Sequence, residues 1–137
     1  IKAKNKSYTD VMRMDDELVF TAKYRIKQQC QSLHLTLHFK DEQGNKLFSN
    51  SWGKSGVSNE HDTGVYECQA VIPANFFNWG GFFIDLLVVK DRQRVILVEN
   101  DIISFSVANK EIQLGRWMGR EPGSITPHFD WQKEKIR

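Results

Sequence analysis

A chain of 137 residues is long enough to close one hydrophobic core without help from disulfides or metal. Its 40% apolar and 26% charged residues are the composition of an ordinary folded domain, and no run of about 20 apolar residues offers a membrane-spanning helix. A net charge of +2 with no basic stripe argues against a nucleic-acid partner.

The chain opens at Ile1 without an initiator Met, so the sequence reads as a domain excised from a longer protein. Residues 1–14, with Lys2, Lys4 and Lys6 spaced among polar residues, are expected to be a linker remnant, and residues 15–137 the domain itself. From there the apolar residues recur with period two, the signature of half-buried strands. In LVFTAKYRI, Leu18, Phe20, Ala22, Tyr24 and Ile26 share a face. In SLHLTLHFK, Leu33, Leu35, Leu37 and Phe39 point inward while His34, Thr36, His38 and Lys40 point out. Asp41 to Asn45 is a hairpin turn in which Gly44 is free to take positive φ. It leads to a short strand over 46–51, followed by a Gly/Ser-rich loop over 52–63. VYECQAVI is the next strand, stopped by Pro73. After the connection ANFFNWGG come FFIDLLVVK, then RVILVEN, then DIISFSVAN. Roughly seven strands with a turn about every 8–12 residues predict an all-β, immunoglobulin-like antiparallel sandwich.

Cys30 lies in a polar turn and Cys68 on an inner strand face, so the two thiols are expected to be free, as suits a reducing compartment. Catalytic signatures are missing. The chain has no Gly-x-Ser-x-Gly elbow, no phosphate-cradling Gly-rich loop and no His-Glu-x-x-His. His34 and His38 cannot share a metal ion, because four strand residues span about 13 Å whereas each ligand must approach to about 2 Å. No cofactor is predicted and no enzyme.

The outward faces carry more information. In a Greek-key sandwich the strand SLHLTLHFK and the strand FFIDLLVVK lie side by side. Their outer residues then form one patch in which His34, Thr36 and His38 sit beside Phe83, Asp85, Leu87 and Val89. Apolar groups among hydrogen-bonding ones on a solvent face imply a ligand or a partner. A sugar suits them, because it has a hydroxyl rim and an apolar C–H face. The predicted carbohydrate-binding residues are His34, Thr36, His38, Phe83 and Asp85, with Trp52 and Trp117 as loop aromatics able to stack on a pyranose. A neighbouring loop or a second subunit covering the patch is the competing explanation, and Trp117 serves equally well as a dimer anchor.

Read together, these residues resemble the C-terminal carbohydrate-binding domain of the ATP-binding subunit (Wzt type) of O-antigen polysaccharide ABC transporters. The resemblance rests on Leu18–Ile26, on Asp41…Gly44-Asn45 followed by Leu47-Phe48, and on Gly64-Val65-Tyr66 running into Ile72-Pro73-Ala74-Asn75. It continues through Gly80 and Gly81, Asp101 to Val107, and the tail residues Gly123, Ile125, Pro127 and Trp131. Ser124 stands where the family has Val, and Gly115 to Gly119 form a loop outside the pattern. The resemblance implies non-catalytic recognition of O-antigen polysaccharide, at its terminal region, in a homodimer. It also implies an ATP-binding domain elsewhere in the full-length chain, a membrane-embedded transporter subunit as partner, and a cytoplasmic location at the inner membrane. The alternatives are a purely structural dimerisation domain and the binding module of a carbohydrate-active enzyme. The family's exchanged C-terminal strand gives a role to GSITPHFDW: residues 120–137 are expected to add a strand to a sheet edge, with Ile125 and Phe129 or Trp131 inward. The edge belongs either to a second copy or to the chain's own sandwich.

Overall fold

Alternation of branched or aromatic residues with polar ones favours extended backbone, and no helix competes with it in the described residues. A computed structural model describes residues 1–30, 32–51, 62–110 and 119–137. The strands are β1 (Lys2–Ala3), β2 (Met12–Arg13), β3 (Leu18–Ile26), β4 (Leu33–Asp41), β5 (Lys46–Ser51), β6 (Gly64–Ile72), β7 (Gly80–Lys90) and β8 (Arg94–Ala108). They form a three-stranded sheet ordered β1-β3-β6 and a five-stranded sheet ordered β2-β8-β7-β4-β5. Every pairing is antiparallel except β2 with β8. The all-β sandwich read from the sequence is the observed fold.

The core is the sum of the inward positions. Leu18 and Phe20 of one sheet meet Leu37, Phe39, Phe82, Ile84, Phe105 and Val107 of the other. Phe77, from the connection before β7, inserts among them, with ring centroids 4.7 Å from Phe82 and 5.6 Å from Phe105. Phe39 stacks on Phe48 of β5 at 4.6 Å. Such ring pairs stabilise a core beyond the area they bury, by about 0.5–1.5 kcal/mol each. The Asp41 hairpin forms as read. Gly44 takes φ 84°, and the Asp41 carboxylate accepts from the Gln43 and Asn45 N–H groups at 3.0 and 2.8 Å. Both cysteines are free.

Two expectations about the chain's layout are corrected. Residues 1–14 are not a loose linker. Lys2–Ala3 pair with Val19 and Leu18, Met12–Arg13 pair with Val107 and Ala108, and Ala3 is wholly buried. The lysines that suggested a solvated tail are tied to the body, Lys4 to Glu17 at 3.2 Å and Lys6 to Asp16 at 3.0 Å. Two-residue strands are too short to display a period, so nothing in the local pattern marks them. The second correction concerns RVILVEN and DIISFSVAN, which are one strand. Ile84 pairs with Ile103 but Leu86 pairs with Glu99, so three residues of β8 bulge opposite Asp85. Asp101 takes φ 52° within the bulge, and the strand bends there rather than turning back.

Candidate functional site

The outer wall of the five-stranded sheet forms because β4 and β7 pair in the register that the alternation requires. Thr36 lies opposite Leu87, His38 opposite Asp85, and Lys40 opposite Phe83. β8 extends the wall, since Phe83 pairs with Ser104 and Gly81 with Ser106. Inner neighbours on β4 are buried (Leu33, Leu35, Leu37, Phe39), whereas His34, Thr36, His38 and Lys40 are half-buried on the opposite face. The structure therefore gathers His34, Thr36, His38, Phe83 and Asp85 on one wall. Trp52 and Trp117 lie outside the described residues.

Asp85 behaves differently from its expected part in sugar binding. It is only 7% exposed. Its Oδ1 accepts from Lys40 Nζ at 2.8 Å and from the Asp101 N–H at 2.7 Å. Lys40 also donates to the Asp101 carboxylate. One carboxylate thus holds the β8 bulge in place and pairs with the neighbouring strand's cation. Outward position follows from alternation, but this commitment depends on a bulge that alternation cannot reveal.

Burial pushes the Asp85 carboxyl up. The hydrogen bonds from Lys40 and the Asp101 N–H, with the charge on Lys40, outweigh it and hold the carboxyl below its usual range. A depressed carboxyl contributes stability that is present above the unfolded value, about 3.9, and lost as pH falls through the lower folded value. Asp85→Asn is expected to be less stable than the wild type at pH 7. The two should converge only as pH falls below the wild type's lowered folded value, where its carboxyl is protonated too. Urea midpoints measured across that range check this, and a constant gap at all pH values would refute it.

The histidines are pushed the other way from the charged form. Burial lowers His38, helped by the charge of Lys46 and opposed by Asp85. Burial lowers His34, with the charge of Arg92 adding to it. Both imidazoles are neutral at pH 7, able to donate through one nitrogen and accept through the other. His34 Nδ1 is buried with no hydrogen-bond partner among the described residues. Among the described residues no group of three potential metal ligands comes together.

At the opposite end of the wall, a cavity of about 590 Å³ opens beside Phe83, lined by Tyr8, Glu42, Gly81, Ser104 and Ser106 among others. Sequence reasoning reached only Phe83 in this group. Ser104 and Ser106 were accessible in principle, because IISFSV alternates and a β7–β8 hairpin puts them on the same wall. Tyr8 falls in the segment expected to be a linker, and Glu42 in the Asp41 to Asn45 turn.

The C-terminal segment is anchored on its own chain and then departs from it. Asn78, 1% exposed, donates from Nδ2 to the carbonyls of Glu121 and Gly123 at 2.7 and 2.8 Å. Its Oδ1 accepts the Trp79 N–H at 3.0 Å. Ile125 bridges to Phe77, and the Thr126 N–H donates to the Phe76 carbonyl at 2.8 Å. Arg120 lies over the Trp79 ring at 5.3 Å. Beyond Pro127 no strand is formed. Phe129 is 68%, Trp131 90% and Ile136 85% exposed. The inward packing expected of Ile125 and of Phe129 or Trp131 is therefore not made on the chain's own sandwich. Ile125 bridges to Phe77 through its backbone while its side chain is exposed, and the segment holds no bonded contact to the body after Thr126 among the described residues.

No family model matches the chain, and no curated protein matches its sequence. Thirteen solved chains match it in structure. One is a crystal structure of the C-terminal domain of Wzt, which superposes with a TM-score of 0.73 over 97% of this chain and 79% of that one, at 11% identity. The fold is that of the Wzt C-terminal domain. At 11% identity the Wzt likeness concerns the backbone, and roles for individual side chains have to be argued from their own surroundings. Within the Wzt-like sandwich the feature most suited to a ligand is the outer wall of the five-stranded sheet. Its partly buried neutral histidines lie at one end, and Phe83 beside a polar cavity lies at the other.

Proposed function

We propose that this domain is a non-catalytic recognition module for O-antigen polysaccharide, engaging the polymer's terminal region for export by an ABC transporter. The observation that carries the proposal is the mixed outer wall of β4, β7 and β8 on a Wzt-like sandwich. His34, Thr36 and His38 supply hydrogen-bonding groups and Phe83 an aromatic surface, the pairing that suits hydroxyl rims and C–H faces of pyranoses. Asp85 enters the reading as the group that fixes the wall, through Lys40 and the bulge, rather than as a sugar ligand. Trp52 and Trp117 remain stacking candidates. The ATP-binding domain would sit elsewhere in the same full-length chain. A membrane-embedded transporter subunit would receive the polymer at the cytoplasmic face of the inner membrane.

The domain would work as a homodimer. An arm bearing Phe129, Trp131 and Ile136 in water is costly unless a second copy covers it. The β8 edge offers a matching surface. Among the described residues β2 flanks it only at Val107 and Ala108, and Val95, Ile96, Leu97 and Val98 are all exposed. Exchange of identical segments is a low-cost route to such a dimer. Placed on that edge, the partner's arm would also occupy a strand edge that otherwise invites aggregation.

Calorimetric titration with the O-polysaccharide of the source cell and with one of different repeat tests the function. Saturable binding to the first, at least tenfold weaker binding to the second, and no release of reducing ends are expected. Turnover of the polymer would make the domain part of a carbohydrate-active enzyme. If neither polymer binds while the dimer persists, the structural dimerisation reading replaces this one.

A further inference from the structure

We infer that the cavity beside Phe83 is a subsite for one uncharged pyranose unit, and that Glu42 makes it exclude acidic sugars. This rests on the reading of the domain as a glycan binder and narrows the class of glycan. The volume, about 590 Å³, lies within the roughly 300–1,000 Å³ typical of small-ligand sites. Its chemistry is that of a sugar cradle. Tyr8 and Phe83 supply ring surface for an apolar C–H face. Ser104 and Ser106, on adjacent outward positions of β8, present hydroxyls that both donate and accept. Glu42 presents two acceptor oxygens, suited to a pair of neighbouring sugar hydroxyls.

Glycine at position 81 is what lets Glu42 take this place. A Cβ there would come within 2.2 Å of Glu42 Oε1 and 2.9 Å of its Cδ. Positive φ does not account for this glycine. That constraint falls on Gly80, at φ 150°. The bare backbone at 81 therefore leaves room for a carboxylate to lie across the strand at the cavity. Among the described lining residues Glu42 carries the one charged side chain. Lys2, from the same segment as Tyr8, has its ammonium over the Tyr8 ring at 5.2 Å from the centroid. A uronate or a phosphate-bearing sugar entering this space would meet the Glu42 carboxylate as a like charge. A neutral hexose meets only acceptors, donors and rings.

The test uses arrayed neutral hexose oligosaccharides and uronate-bearing oligosaccharides as probes. Amide NMR shifts of the domain are followed with the best neutral probe. Wild type is expected to bind neutral probes at least tenfold more tightly than acidic ones, with the largest shifts at Gly81, Phe83, Ser104 and Ser106. Phe83→Ala removes a stacking wall and should weaken neutral binding at least tenfold. Gly81→Val fills the floor and should do the same. The atom it displaces is the end of a flexible side chain, so the sandwich remains folded. Glu42→Gln keeps the shape and removes the charge, so the discrimination against uronates should shrink about tenfold. Neutral binding with shifts confined to the His34–His38 end would overturn the subsite and leave the glycan-binding reading standing. So would an unchanged preference in Glu42→Gln. No binding to any probe, together with no binding of the source polysaccharide, would overturn both.

Discussion

Removing residues 127–137 is expected to turn the proposed homodimer into a folded monomer. Light scattering behind a sizing column measures the mass, and circular dichroism checks that the strands persist. The clamp that holds the segment to its own chain ends at Thr126, so the cut spares the bridge of Ile125 to Phe77 and the hydrogen bonds of Asn78. It takes away Phe129, Trp131 and Ile136, three apolar side chains that the single chain leaves in water. Burying each against a partner would contribute about 1.5–3 kcal/mol. Losing all three weakens association by at least a hundredfold even after generous allowance for the entropy of ordering the arm. Ile96→Lys places a charge in the exposed apolar run of β8 and is expected to have the same effect if that edge receives the arm. A truncated domain that stays dimeric would place the interface elsewhere on the sandwich. A monomeric truncation with a dimeric Ile96→Lys would keep the exchange and move the receiving edge.

Asn78→Ala is expected to lower the unfolding free energy by about 3 kcal/mol, because it removes three hydrogen bonds made by a buried side chain, each contributing about 1 kcal/mol. For a domain of this size that is a fall of about 10 °C in melting temperature. The hydrogen-bond network fixes the amide's orientation, with nitrogen toward the two carbonyls and oxygen toward the Trp79 N–H. Asn78→Asp preserves size and the bond from Trp79 but turns an acceptor toward two acceptors, so it should be at least as harmful. Calorimetric melting of both variants checks this. An Asn78→Asp variant as stable as the wild type would mean that the clamp contributes little. The same substitutions free residues 120–126 from the connection before β7, so faster amide exchange in that stretch should accompany the loss.

β4 was legible because its inward and outward residues alternate from Leu33 to Lys40, and β3 and β7 because apolar residues recur at every second position, although Val19 on β3 and Phe83, Leu87 and Val89 on β7 are apolar on the other face as well. Given that alternation, β4 beside β7 followed from sandwich connectivity, and with it the wall shared by His34, Thr36, His38 and Phe83. Asp85 shows where this reading stops. Its side of the strand was predictable. Its engagement with Lys40 and the Asp101 N–H was not, because the bulge is defined by how two strands fall out of register. The linker expectation failed for a related reason. Ala3 is buried by contacts with residues far along the chain, and two residues of strand carry no periodic signal. Phe77 and Asn78 looked like parts of a connection, yet one is central to the core and the other clamps the C-terminal arm.

The sequence by itself determined which residues face into the sandwich and which face out, since the pleat of a strand turns every second side chain the same way whatever surrounds it. It also determined the Asp41 hairpin, where a carboxylate and a glycine act within five residues. Tertiary structure alone decided which distant pieces meet on the outer wall: Tyr8 from the N-terminal segment, Glu42 from the β4–β5 turn, and Gly81 with Ser104 and Ser106 from β7 and β8. Those encounters depend on the register of paired strands and on loops that cross between sheets. Such contacts join residues tens of positions apart and leave no mark on the local pattern.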